Sequence, residues 1–463
     1  MSIWTPRPPV RRHPRQARDW RRTWSQNPGR TVVAGFASGI AIGTALLMLP
    51  MATPGPGSAT VLEALFTATS ALCVTGLAVV DTATDWSVFG QATILVLIQV
   101  GGFGIMTLAS LLGLLISRQL GLSSRIVAAT ETKSVGLGDV RTVLLGVARI
   151  TLTVEALTAV VLAVRFAVGY GKSVGSSVWL GVFHSVSAFN NAGFALFSDN
   201  LSGFVTDPWI CLPIAAAVIL GGIGFPVIME VMRQHHRPRR WSVHTRLTLL
   251  MTAILLGGGT LFVTAAEWTN PGTLGTLDAP GRVLAGFFQA VMPRTAGFNS
   301  VDISAMNTGT LLGSDVLMFI GGGSAGTAGG IKVGTFAVLL LAITVELRGD
   351  PDVDLFDRRL SPAVIRQALA VALLSVAVVV VSTMVIAMTS TYTLDQVLYE
   401  VVSAFATVGL STGITAELAA GHQILLVVLM FAGRLGPVTL ASALVLRERQ
   451  RLVRRPEGRP LIG

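Results

Sequence analysis

The sequence predicts an all-α polytopic membrane protein of four tandem repeats, each a span, a short half-helix, a glycine-bearing loop and a second span. Three observations carry this. Hydrophobic residues make up 52% of the 463-residue chain and charged residues only 13%, against about 25% charged in soluble domains. Apolar stretches of bilayer-crossing length recur eight times. A short polar segment centred on a glycine recurs four times, at Gly76, Gly193, Gly297 and Gly409, with spacings of 117, 104 and 112 residues.

In order, the chain opens with an Arg-rich arm, residues 1–30, of low apolar content and expected to be disordered or lipid-facing. The apolar run Thr31 to Leu49 follows. It is longer than a typical signal-peptide core and ends at Pro50 without a small-x-small cleavage site, so it reads as a retained first span over 31–50. Further spans are expected near 88–116, 141–168, 208–232, 246–266, 310–346, 363–388 and 422–446, the sixth long and interrupted. Shorter semi-apolar segments near 60–73, 176–190, 281–293 and 394–406 cannot cross and read as re-entrant half-helices. The repeats become 31–116, 117–232, 233–346 and 347–446, then a basic tail, 447–463. That is eight transmembrane helices around a pseudo-fourfold pore.

A formal net charge of +10 would suit a nucleic-acid binder. Its placement argues otherwise. Of 34 basic residues, 27 lie in the arm, in the linkers 117–141, 233–246 and 348–366, and in the tail. The alternate loops carry Asp81, Asp85, Asp199, Asp207, Glu267, Asp278, Asp302, Asp395 and Glu417. The positive-inside rule then puts both termini in the cytoplasm, and no nucleic-acid partner is expected. The two cysteines, Cys73 and Cys211, make no disulfide framework, and the six histidines show no ligand spacing.

The four half-helices end in Cys73-Val74-Thr75-Gly76-Leu77, Asn190-Asn191-Ala192-Gly193-Phe194, Arg294-Thr295-Ala296-Gly297-Phe298 and Ala406-Thr407-Val408-Gly409-Leu410. Ser70-Ala71-Leu72, Ser187-Ala188-Phe189 and Ser403-Ala404-Phe405 stand upstream, and the third repeat departs with Val291-Met292-Pro293. A second glycine cluster follows at 24–28 residues: Gly101–Gly104, Gly221–Gly224, Gly321–Gly330 and Gly433–Gly436. One such glycine would only ease helix packing, whereas two features in register across four units signal internal repetition.

Non-helical backbone at membrane depth is tolerated where it lines a watery cavity. Four such loops on one axis would ring it with carbonyl oxygens, which can replace the hydration shell of potassium. Glycine lets successive carbonyls aim inward, and half-helix C-termini favour a cation at the centre. The expected ion ligands are the carbonyls of Val74, Thr75 and Gly76; Asn191, Ala192 and Gly193; Thr295, Ala296 and Gly297; and Thr407, Val408 and Gly409.

These residues resemble the Ktr/Trk/HKT superfamily of potassium transporters. The likeness lies in Ala71 to Leu77 with Val79-Val80-Asp81-Thr82, in Pro293-Arg294-Thr295-Ala296-Gly297-Phe298, in Gly329-Gly330-Ile331-Lys332 and in Gly433-Arg434-Leu435-Gly436-Pro437, and it covers nearly the whole chain from about residue 31. Only about 30 residues precede the first span, so the chain resembles the Ktr-type membrane subunit and not the longer Trk type. The resemblance implies one filter made from four repeats, a homodimer, and a cytosolic nucleotide-binding regulatory ring that carries the nucleotide. It also implies filter loops with a single glycine, and Leu77, Phe194, Phe298 and Leu410 do follow the glycine here.

Two gate elements stand out. The run Gly321-Gly322-Gly323-Ser324-Ala325-Gly326-Thr327-Ala328-Gly329-Gly330 interrupts an apolar span and is too glycine-rich for a firm helix. It contains G-x-G-x-x-G, but no strand precedes it, and Ile331 stands where a Walker A motif has Gly before Lys332. It reads as a flexible loop below the filter that obstructs the path, the use the family makes of the matching segment. Arg434 is an ionisable residue inside the last span, where a cation would oppose ion passage. The family has a matching arginine in this role. Lys332 either snorkels toward the cytoplasm or interacts with the loop, and Arg294 is expected to brace the third filter loop. Glu63 and Glu400 are expected to tie down half-helices by hydrogen bonds.

The expected activity is potassium uptake across the plasma (cell inner) membrane, passive or weakly sodium-coupled, with lipid as neighbour and no covalent chemistry. An alternating-access transporter for another small cation or solute is the alternative. Its repeats are usually two, and its sites lean on intramembrane charge.

Overall fold

The computed structural model describes residues 28–119, 140–356 and 358–436. Most of the arm, the linker positions 120–139 and the chain from 437 onward, with the end of the expected 422–446 span, lie outside the described residues. Helices α1 (Pro28–Leu47), α2 (Val61–Leu72) and α3 (Val88–Gln119) come first. Next are α4 (Val140–Tyr170), α5 (Val174–Phe189), α6 (Pro208–Ile223) and α7 (Phe225–Gln234). Then come α8 (Val243–Glu267), α9 (Ala279–Val291), α10 (Thr308–Phe319) and α11 (Val333–Arg348). The series ends with α12 (Pro362–Thr389), α13 (Leu394–Ala406) and α14 (Ala420–Leu435).

Among the described residues, three segments are long and apolar enough to cross a membrane: Val143–Tyr170, Val243–Glu267 and Pro362–Thr389. The bent pair α6–α7 makes a fourth when it is counted as one broken span. Their outer faces are apolar, with Leu152, Leu157, Val160 and Val164 on α4 and Leu373, Val380, Val381 and Met388 on α12 all exposed. Such continuous patches are a liability in water and are at home against acyl chains.

The core is centred on the four short helices instead. Phe66 of α2, Phe183 of α5, Phe288 of α9 and Tyr399 of α13 are fully buried. Inside a bilayer such rings hold helices together by close van der Waals packing. Each short helix begins at a side-chain cap. Thr60 with Glu63 and Thr393 with Gln396 form capping boxes, and Ser173 and Asp278 accept the N–H groups of Ser176 and Gly281. A cap of this kind is worth about 1 kcal/mol and sets where a marginal, short helix starts.

The stretch 208–232, expected as a single span, is broken. Gly224, at φ +103°, turns the chain by 98° between α6 and α7. Pro226, in the first turn of α7, has no N–H to continue the ladder of α6. The interruption expected within 310–346 runs from Ile320 to Lys332, between α10 and α11. Beyond α11 a two-residue hairpin, β1 (Asp354–Leu355) with β2 (Arg358–Arg359), packs Leu355 into a small apolar cluster with Ile320, Val333, Leu247 and Met251.

Candidate functional site

After each half-helix the chain makes the same turn. Val74, Asn191, Thr295 and Thr407 are left-handed, with φ of +56°, +60°, +69° and +51°. Two positions on, Gly76, Gly193, Gly297 and Gly409 have φ of +97°, +70°, +73° and +94°. A non-glycine residue in this region costs on the order of 1 kcal/mol or more and needs support. Hydrogen bonds back to the half-helix supply it: Thr75 N to Ser70 O (2.8 Å), Ala192 N to Ser187 O (2.7 Å) and Val408 N to Ser403 O (2.8 Å). The upstream serines add their hydroxyls. Ser70 Oγ accepts from Gly76 N at 3.0 Å, Ser403 Oγ accepts from Gly409 N at 3.1 Å, and Ser187 Oγ donates to Phe194 O at 2.8 Å. The third loop departs in structure where it departs in sequence: Ala296 N reaches Met292 O instead (2.9 Å).

The four loops meet in a closed cycle. A Cβ on Gly76 would lie 3.2 Å from Gly193 Cα, one on Gly193 2.7 Å from Gly297 Cα, one on Gly297 3.2 Å from Gly409 Cα, and one on Gly409 3.0 Å from Gly76 Cα. Each would also strike a carbonyl oxygen of the next loop, those of Ala192, Ala296, Val408 and Thr75 in turn. No side chain fits at these positions, and backbone oxygens border the ring. The following spans press up under the half-helix ends: a Cβ on Gly101, Gly221 or Gly433 would collide with Leu72 O, Phe189 O or Phe405 O.

The loop Gly321–Gly330 lies against this ring. Ile320 pairs with Ile331, and bonds from Gly321 N to Ile331 O (2.9 Å) and Val333 N to Gly322 O (3.0 Å) close its neck. Gly323 N and Thr327 N donate to Gly222 O (2.8 Å) and Gly221 O (3.1 Å). Thr327 Oγ1 sits 2.9 Å from the side-chain amide of Asn191, and Gly329 N donates to Thr295 Oγ1 at 3.2 Å.

Three buried or half-buried cations hold the loop. Arg434, in the last turn of α14, donates to Thr327 O and, at 3.5 Å, to Gly101 O. Lys332 Nζ donates to Ala328 O at 2.5 Å, so it interacts with the loop. Arg294 donates to Thr252 O at 3.2 Å and lies 3.5 Å from Gly321 O. Among the described residues, none of the three has a carboxylate partner. Carbonyl dipoles are what offsets their desolvation.

The carboxylates serve the scaffold. Glu63 accepts from Thr60 N at 2.8 Å. Glu400, fully buried, accepts from Ser411 Oγ (2.6 Å), Thr412 N (2.9 Å) and Thr415 Oγ1 (2.7 Å), which ties α13 to the segment after the fourth loop. Glu155 of α4 accepts from Asn190 Nδ2 at 3.0 Å, beside Gln99. The Asn190–Glu155–Gln99 brace, the Asn191–Thr327 contact and Thr252 were not singled out from the sequence. The Asn190-Asn191 pair, unlike the other three loops, was the available signal.

The structure is that of a polytopic α-helical membrane protein. The family described as TrkH, cation transport protein, matches residues 17–453. Ktr system potassium uptake protein B of Bacillus subtilis (strain 168) is 41% identical over 94% of this chain and 97% of its own. Its namesake in Vibrio alginolyticus is 38% identical over 94% of each chain. Potassium/sodium uptake protein NtpJ of Enterococcus hirae is 33% identical over 91% of this chain and 93% of its own. The crystal structure of the potassium transporter TrkH from Vibrio parahaemolyticus shares the fold, with a TM-score of 0.72 at 18% identity over 93% of this chain and 86% of that one. The chain belongs to the TrkH/Ktr family of cation transport proteins.

Proposed function

We propose that this protein carries potassium into the cell across the plasma membrane, through a pore lined by the carbonyls of the four glycine loops. The observation that carries the reading is the closed cycle of Gly76, Gly193, Gly297 and Gly409, each facing the carbonyl of the next loop. Half-helix C-termini add negative potential there. The loop Gly321–Gly330 is the gate beneath this filter, and Arg434 and Lys332 hold it closed.

The four repeats supply eight spans, with both termini in the cytoplasm. The chain acts as a Ktr-type membrane subunit, dimeric, and takes its regulation from a cytosolic nucleotide-binding subunit, in line with its likeness to the Ktr system proteins. Sodium is a candidate second ion, in line with the potassium/sodium uptake relative.

Complementation tests the reading. Co-expressed with its cytosolic partner, the chain restores growth of a potassium-uptake-deficient bacterium at low potassium, and Gly297→Ser lowers potassium affinity and selectivity over sodium. Failure to rescue despite membrane insertion overturns the function. Unchanged affinity and selectivity in Gly297→Ser overturn the filter.

A further inference from the structure

The three cations around the loop Gly321–Gly330 are not equally served by carbonyls. Arg434 and Lys332 each reach a carbonyl oxygen at close range, those of Thr327 and Ala328. Arg294 reaches Thr252 O at 3.2 Å, while Thr252 Oγ1 and Gly321 O stand at 3.5 Å, the outer limit of a hydrogen bond. A guanidinium has five N–H donors to place, and Arg294 is only 7% exposed. Among the described residues it has no carboxylate partner. A buried cation served this thinly carries a large desolvation cost.

A cavity of about 10 Å³ borders the same side chain. Arg294 lines it together with Thr252 and Leu256 of α8, Val291 of α9, Gly222 of α6 and Gly322 of the loop. That volume suits one small guest, the size of a water or a single-atom ion. A water would bring the guanidinium a hydrogen-bond acceptor but no charge. A halide brings both, and it is the guest that an unpaired buried cation favours. The walls otherwise are aliphatic carbon and glycine, and the Thr252 hydroxyl has a hydrogen to add.

We propose that this cavity is an anion site, in which the Arg294 guanidinium and the Thr252 hydroxyl bind a chloride ion. The ion is the counter-charge of the third glycine loop. It joins that loop, through Arg294, to α8, through Thr252, and so stabilises the folded chain in proportion to its occupancy. The site lies beside the glycine ring and goes beyond the pore reading, on which it does not depend.

The test is the melting temperature of the purified full-length chain in detergent, with potassium held fixed and chloride exchanged for gluconate. Chloride, or bromide in its place, is expected to raise it by about 2 °C for each tenfold increase above the dissociation constant. Leu256→Phe fills the cavity while Arg294 stays in place, and the halide response is expected to vanish. Thr252→Val removes the hydroxyl and is expected to weaken chloride about tenfold, the scale of one charge-assisted hydrogen bond. Anomalous diffraction from crystals grown in bromide is expected to show the ion beside Arg294. The inference is overturned if chloride and gluconate give the same melting temperature, which would mean that the cavity holds water. It is overturned equally if bromide shows no peak beside Arg294, or if the halide response is undiminished in both variants, which would place the anion elsewhere on this basic chain.

Discussion

Arg434 donates to the carbonyl of Thr327, a residue 107 positions earlier, and so joins the last described helix to the loop Gly321–Gly330. A hydrogen bond from a charged group is worth about 1.5–3 kcal/mol, and breaking it leaves Thr327 O unpaired in a buried place. Arg434→Gln is therefore expected to raise potassium flux into proteoliposomes without the cytosolic partner by about tenfold or more. Flux at or below the wild-type level would show that the arginine does not hold the gate.

The serines beneath the first and fourth loops hold strained backbone. Ser403→Ala leaves Gly409 N without its acceptor, and Ser70→Ala does the same to Gly76 N. Each is expected to cost about 1 kcal/mol of stability. Thermal melts in detergent measure the stability, and potassium-over-sodium flux ratios, expected to fall, measure the filter. An unaltered ratio in both variants would detach these hydroxyls from ion selection.

Glu400 accepts from three different residues downstream of the fourth loop. Glu400→Gln replaces one acceptor oxygen by a donor that faces donors. The expected loss is about 1–3 kcal/mol, seen as a lower melting temperature. Equal melting temperatures would mean that the network repacks without it.

Gly224 is the elbow between α6 and α7, at φ +103°, where a Cβ would strike Ser324 O in the loop Gly321–Gly330. Gly224→Ala pushes on the loop and strains the elbow by about 1–3 kcal/mol. Partner-independent flux is expected to rise along with the loss of stability. A variant that is destabilised but as tight as wild type would place the elbow outside the gate.

The half-helices and glycine loops were legible because each signal occurred four times. Repetition turned a weak glycine motif into an alignment, and the departure of Val291-Met292-Pro293 correctly marked the loop whose hydrogen bonding differs. The elbow at Gly224 was missed because 208–229 carries no charged residue, and hydropathy carries no angle. Gly224-Phe225-Pro226 did hold the signal, a glycine free to take positive φ followed by a proline that starts a new helix. Thr252 as the partner of Arg294 had no local signature, since the two are 42 residues apart and meet only when α8 packs on the third loop. Glu155 stands in an apolar stretch of α4, and nothing near it in the sequence marks it as a brace for Asn190, 35 residues away.

The pairing of Ile320 with Ile331 has a mechanical consequence. It pinches the ten residues between them into a closed bight whose contour length is independent of the helices on either side. The bight has no slack to draw from α10 or α11. One side of its neck, Ile320, is seated in the apolar cluster that also receives Leu355 of the hairpin. A force applied to the hairpin would therefore be felt at the neck of the loop through that shared cluster.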